Sequence, residues 1–137
     1  MAWTEPGPDG RVVPILELEA EGGTLREDQK SGTFERALAR IYRAGRLVAR
    51  LRAPRVQATL AVRRIQALGG VVLTSAQPEG LRVDADRVEW LLDRGRVVAT
   101  GRVRFAQRDA ASGRRVAEGG VFRRVTLDTD RWRLTIP

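Results

Sequence analysis

A tandem repeat constrains this chain more than any other feature: Ala53 to Leu73 recurs 32 residues later, without an insertion, as Ala85 to Phe105. Each copy alternates apolar and polar residues, the pattern of a strand with one buried and one wet face. Leu47, Ala49, Leu51 and Ala53 lead into the first copy, with Arg46, Arg50 and Arg52 among the residues of the other face. At Pro54-Arg55 the parity switches, and Val56, Ala58 and Leu60 carry the apolar face to a turn near Val62-Arg63. Ile65, Ala67, Gly69, Val71 and Leu73 complete the unit. The second copy repeats the design, with Val83 and Ala85, a switch at Asp86-Arg87, then Val88, Trp90 and Leu92. Asp93-Arg94-Gly95 makes a three-residue hairpin turn with Gly placed for positive φ, and Val97, Ala99, Gly101, Val103 and Phe105 follow. Eight of the 21 aligned positions are identical, Arg55/Arg87 and Gly69/Gly101 among them. Biased composition produces matched residues, but not a parity switch at the same place. Units of this period cannot bury a face alone, so they stack or wrap around a shared interior.

The flanks extend the pattern. Leu16, Leu18 and Ala20 alternate with Glu17, Glu19 and Glu21, which predicts a strand over Val12 to Ala20, ended by Gly22-Gly23. Pro6, Gly7, Pro8 and Gly10 predict a flexible lead-in over residues 1–11, leaving 12–137 as a single domain. Thr33 to Arg43 fits a helix through Phe34, Leu38, Ile41 and Tyr42, and a strand through Phe34, Leu38 and Tyr42; the β-rich remainder tips it toward strand. A third, looser copy places Val125, Leu127, Asp130-Arg131, Arg133 and Leu134, with a loop at Asp109 to Gly113 absorbing the changed spacing. The expected fold is all-β, a set of tandem antiparallel strand pairs.

Histidine and cysteine are both absent. That removes the usual neutral-pH base, the thiolate nucleophile and the common zinc ligands, and predicts a non-enzymatic protein without cofactor or metal. Asp84/Asp86 and Asp128/Asp130 set two acids on one strand face, but Arg82, Arg87, Arg124 and Arg131 lie beside them, so surface ion pairs are the expectation. No glycine pair sits in a phosphate-loop frame. The net charge of +8, from 24 arginines and Lys30 against 17 carboxylates, attracts nucleic acid, lipid phosphate and acidic membranes alike. An arginine excess of this kind also follows from genome composition or a high-temperature habit. Arg50, Arg52, Arg82, Arg102 and Arg104 share strand faces, yet Trp90 and Phe105 fall on the apolar parity, so no platform for base stacking forms and nucleic acid is disfavoured. Ala49, Ala53, Ala58, Ala67, Ala85 and Ala99 make the inward face partly small, consistent either with ordinary sandwich packing or with room for an apolar ligand.

The motif Ala85, Val88, Trp90, Leu91, Asp93, Val97, Ala99, Gly101 and Val103, repeated in part as Ala53, Val56, Ala67, Gly69 and Val71, resembles the repeat of the lipopolysaccharide-export proteins of the LptC/LptA (OstA-like) family. The match covers Arg46 to Phe105 well and the flanking strands loosely. The order of features, with Tyr42-Arg43-Ala44-Gly45 before the first repeat, favours the LptC branch. The resemblance implies a β-jellyroll shaped as a half-open pipe whose interior shelters acyl chains. Lining residues would be Leu51, Val56, Leu60, Ile65, Val71, Leu73, Val83, Val88, Trp90, Leu92, Val97, Val103 and Phe105. Partners would be lipopolysaccharide or a similar amphipathic lipid, an ABC-transporter complex, and other jellyroll bridge proteins joined edge to edge. Val12 to Ala20, with Leu16 and Leu18, and Trp132, Leu134 and Ile136 would supply those edges, which also permit self-association. The location implied is periplasmic, with an inner-membrane anchor in a longer native chain. Two rivals stand beside this reading, a nucleic-acid-binding basic β module and a structural repeat sandwich with a filled core.

Overall fold

The chain was analysed as a computed structural model, which describes residues 2–26, 30–76, 79–108, 115–118 and 121–136. Its strands are β1 (Ala2–Pro6), β2 (Val12–Arg26), β3 (Ser31–Arg43), β4 (Arg46–Thr59), β5 (Arg64–Ala76), β6 (Glu79–Leu91), β7 (Arg96–Arg108), β8 (Arg115–Glu118), β9 (Phe122–Asp128) and β10 (Arg133–Thr135). They form one antiparallel sheet in the order β1-β2-β3-β4-β5-β6-β7-β9-β10, with β8 paired to the far end of β7. The one helical element among the described residues is a 3-10 turn, Leu92–Arg94, closed by Gly95 at φ 58°.

Strands β2 to β7 run 13 to 15 residues each, more than twice the usual length of about five or six. None continues in regular pairing from end to end. The β2/β3 ladder skips from Ala20↔Ala37 to Gly22↔Glu35, and the β3/β4 ladder skips from Glu35↔Arg55 to Ala37↔Ala53. Register then shifts between Arg52 and Arg55, between Leu68 and Val71, between Asp84 and Arg87, and between Thr100 and Val103. These breaks form a line across the sheet through Glu21, Arg36, Pro54, Gly69-Gly70, Asp86 and Gly101-Arg102. The parity switches at Pro54-Arg55 and Asp86-Arg87 lie on it, because one unpaired residue flips every side chain beyond it.

The flip has a purpose in packing. In β4 and β6 the extra residue keeps the same face inward on both sides of the crease, while β5 and β7 keep an unbroken alternation and turn on Gly69, Gly70 and Gly101. With no second sheet and no long helix among the described residues, the sheet must cover itself. Leu51, Val56, Ile65 and Val88 are 0% exposed and Trp90 is 1% exposed, so its two leaves fold about the crease and meet face to face. This is the jellyroll that the resemblance implies. Ala20, Ala37 and Ala53 pair in register along the crease, and at the buried Ala37 and Ala53 bulkier side chains would hold the leaves apart. Gly69, Gly70 and Gly101 take φ of 90°, 102° and 77°, conformations open to glycine.

The residues expected as a lead-in contain β1, whose Trp3 is buried opposite Leu16. The Pro/Gly cluster there is a turn, with the Gly7 N–H donating to the Arg11 carbonyl, and Pro6 ends a strand that needs no further ladder bond. Nor do Gly22-Gly23 end β2, which continues to Arg26. A Cβ at Gly23 would lie 2.6 Å from the Thr33 carbonyl oxygen and 2.9 Å from Cδ1 of Phe34, so the glycine makes room for the facing backbone and that ring. Thr33 to Arg43 is strand, within β3. The loop at Asp109 to Gly113 lies outside the described residues.

Two glycine substitutions separate strain from collision at the crease. Around Gly70 nothing lies within 4 Å of an added Cβ, while at Gly101 it would sit 2.7 Å from Oδ2 of Asp86, a carboxylate fixed by Arg102. Gly70→Ala should cost about 1 kcal/mol of urea-measured stability and Gly101→Ala roughly 2 to 3 kcal/mol. Equal losses would contradict the crowded crease.

Candidate functional site

The inward faces of the leaves form one apolar cluster. Of the lining residues named from sequence, Leu51, Val56, Ile65, Val71, Leu73, Val83, Val88, Trp90, Val97 and Val103 are buried within it, while Leu60, Leu92 and Phe105 are half-buried against it. The repeat units could not show their partners from the flanks: Ile15, Leu16 and Leu18 on β2, Ala39 and Ile41 on β3, and Val125 and Leu127 on β9. Ile41 was hidden in the segment of ambiguous period, and the Val125/Leu127 alternation was its own signal. At one margin Phe105 stacks on Phe122 with centroids 5.9 Å apart.

One end of the interior is not filled. A cavity of about 210 Å³ lies between the leaves, with Ile15, Ile41, Val48, Trp90 and Leu92 on its apolar side and Glu5, Tyr42, Arg43, Arg63, Asp93 and Thr129 on its polar side. Arg63 donates from Nη1 to Glu5 Oε2 at 3.4 Å and to Asp93 Oδ1 at 3.3 Å, and Arg43 pairs with Asp130. Successive turns are bonded there as well: Leu60 N–H to the Lys30 carbonyl at 2.9 Å, Leu92 N–H to Arg63 at 2.9 Å, and Thr129 N–H to Gly95 at 2.7 Å. Arg43 and Arg63 are therefore the cations at the mouth of the interior, positions that alternation alone did not single out.

Size decides what this state can hold. Small-molecule pockets occupy about 300 to 1,000 Å³. The 210 Å³ cavity falls below that, so a long apolar guest enters only if the leaves part. Among the described residues no group of acidic side chains is arranged to hold a metal. Asp84 accepts two bonds from Arg82, and Asp86 two from Arg102.

The edges differ from the sequence reading. Strand β1, not β2, is outermost over Val12–Glu17, so Leu16 pairs on both sides, with Trp3 and with Ile41. Glu19 to Arg26 meets β3 on one side and no described strand on the other. At the opposite boundary Leu134 pairs with Leu127, Trp132 and Leu134 pack against the core, and Ile136 is exposed.

No protein-family model matches the sequence, and none of the curated proteins matches it. Among solved structures the fold is similar to LptH from Pseudomonas aeruginosa, described as the LptA-homologous periplasmic component of the conserved lipopolysaccharide transport device. The TM-score is 0.67 at 11% sequence identity, over 88% of this chain and 80% of that chain. The likeness establishes an LptA-like β-jellyroll, an open half-pipe.

Tyr42 reports on the mouth. Its hydroxyl donates to Glu17 Oε2 at 3.0 Å, and burial, then this bond and the Glu17 charge, push its pKa above the ordinary 10.0. A group whose folded pKa is raised stabilises the fold below its unfolded value, and that contribution is lost as pH rises through the folded value. Tyr42 is the single tyrosine, so ultraviolet titration reads it alone. It should ionise above pH 10 in the folded chain, and Glu17→Gln should lower the midpoint. Ionisation at or below 10 would show that the mouth is open to water there.

Proposed function

We propose that this chain is a non-enzymatic bridge component of lipopolysaccharide transport. Residues 2–136 act as one jellyroll that takes the acyl portion of lipopolysaccharide, or of a similar amphipathic lipid, between its leaves. The observation that carries this reading is the apolar interior between two leaves of a single sheet, opening at a mouth rimmed by Arg43 and Arg63. Its likeness in fold to LptH supports the transport setting. Acyl chains would lie against Val88, Trp90 and Leu92, while lipid phosphate would draw Arg43 or Arg63 away from its carboxylate.

In this proposal the protein works in the periplasm, receives lipid from an ABC-transporter complex, and joins neighbouring jellyrolls by strand addition. Glu19–Arg26 of β2 and the β9–β10 boundary offer backbone for that pairing. The order of features around Tyr42–Gly45 favours an LptC-like place, anchored at the inner membrane in a longer native chain. A filled-core sandwich and a nucleic-acid module make different predictions in one assay.

The assay uses Trp3→Phe/Trp132→Phe, which leaves Trp90 as the reporter. A lipid A-like amphiphile should shift Trp90 emission and shield it from quenching, while DNA binds weakly and is lost between low and physiological salt. Leu92→Arg, at the half-buried mouth, should keep the fold and weaken uptake at least roughly fivefold, about 1 kcal/mol of lost apolar contact. Val88→Asp should unfold the chain, because an unpaired carboxylate in the dry interior costs several kcal/mol. Tight DNA binding at physiological salt with a silent Trp90 would refute the proposal.

A further inference from the structure

A second site lies on the outside of the fold, on the wet face of the leaf that contains Arg50 and Arg52. A depression of about 760 Å³ runs from the crease across β2 to β5, bordered by Glu19, Glu21, Arg36, Pro54 and Gly70. A second of about 330 Å³ continues it toward β6 between Arg50, Thr74 and Arg82. Both are lined by Leu38, Arg52 and Val72, so the two form one groove. Unlike the interior, the larger part falls within the ordinary range of ligand pockets, about 300 to 1,000 Å³.

Its floor is apolar on a face that alternation makes wet. Leu38 and Val72 are half-buried and flank Arg52 in one cross-strand row, Leu38↔Arg52↔Val72, so the arginine stem completes an aliphatic strip. The charges around it do not cancel. Glu19 is paired by Arg40 at 3.0 Å, Glu21 by Arg36 at 2.8 Å, and Asp84 by Arg82 at 2.9 Å. Arg50 and Arg52 have no carboxylate partner among the described residues. Arg50 stands directly opposite Arg40, whose own charge is taken up by Glu19, so no carboxylate is left for Arg50 there. Two uncompensated guanidinium groups beside an aliphatic strip match a dianionic headgroup on an alkyl chain. No aromatic side chain lines either part of the groove, which disfavours nucleic-acid bases.

We propose that this outer groove binds a phosphate-monoester amphiphile, its phosphate held by Arg50 and Arg52 and its chain lying over Leu38 and Val72. The site is separate from the interior and does not depend on the transport reading. The probe is dodecyl phosphate below its micelle concentration, titrated into the isotopically labelled full chain and followed by amide NMR shifts. Amides of Leu38, Arg52 and Val72 should move saturably while the Trp90 indole stays in place. Arg50→Ser/Arg52→Ser, at exposed positions, should leave the thermal melt unchanged and weaken binding roughly 10- to 30-fold, from about a fivefold loss per arginine. Inorganic phosphate and dodecyl maltoside should each bind at least tenfold more weakly, because each supplies half of the recognition. Undiminished binding by the double variant would overturn the proposal, as would movement confined to Trp90 or phosphate alone matching the amphiphile.

Discussion

The fold depends on one interrupted line of pairing across the sheet. Strands of this length lying flat would leave one apolar face in water, and no helix among the described residues is available to cover it. Breaks in the ladder at the same height in successive strands, with a parity switch in β4 and β6 and glycines at positive φ in β5 and β7, let the sheet double over with its apolar face inside. The crease needs small side chains within it, supplied by Ala37 and Ala53, and backbone free to turn, supplied by Gly69, Gly70 and Gly101. Arg102 shows the cost of departing from glycine, holding φ at 45° with its guanidinium tied to Asp86. The repeat in the sequence is this crease written twice.

A doubled sheet has an interior bounded by two leaves and ends that need closing. Along the crease the leaves are continuous chain and cannot separate. At the mouth they are held by Arg43–Asp130 and Arg63–Glu5, pairs whose side chains remain 36% to 54% exposed. Exposed pairs contribute about 0 to 1 kcal/mol each and weaken with salt. The leaves are therefore firmly joined at the hinge and lightly tied at the opening, as the proposed lipid-binding role calls for. In the proposed role an acyl chain would exchange protein–protein apolar contact for protein–lipid contact, so opening need not expose the interior to water.

Much of this was legible in the sequence because period-two alternation reports burial directly, and a switch in parity reports a bulge. The strands around both repeat copies, the Gly95 turn and the buried residues of those strands followed from that pattern alone. The failures came where local chemistry carried two meanings. Pro6 and Gly7 signal a turn, but cannot show that Trp3 just before them is buried on a neighbouring strand. Gly22-Gly23 reads as a stop, yet it clears space for Phe34, a contact distant in sequence. Arg43 and Arg63 could not be singled out among 24 arginines, because their significance lies in turns brought together by folding.

Distance across the mouth tests the account most directly. Arg46, at the start of β4, and Arg94, in the 3-10 turn, are exposed and lie on opposite leaves, and the absence of native cysteine makes Arg46→Cys/Arg94→Cys a clean pair for spin labels. Pulsed dipolar spectroscopy should show a single short distance in the free protein that lengthens by several ångströms when a lipid A-like amphiphile is bound. An unchanged distance with lipid demonstrably bound would contradict a pipe that opens about its crease.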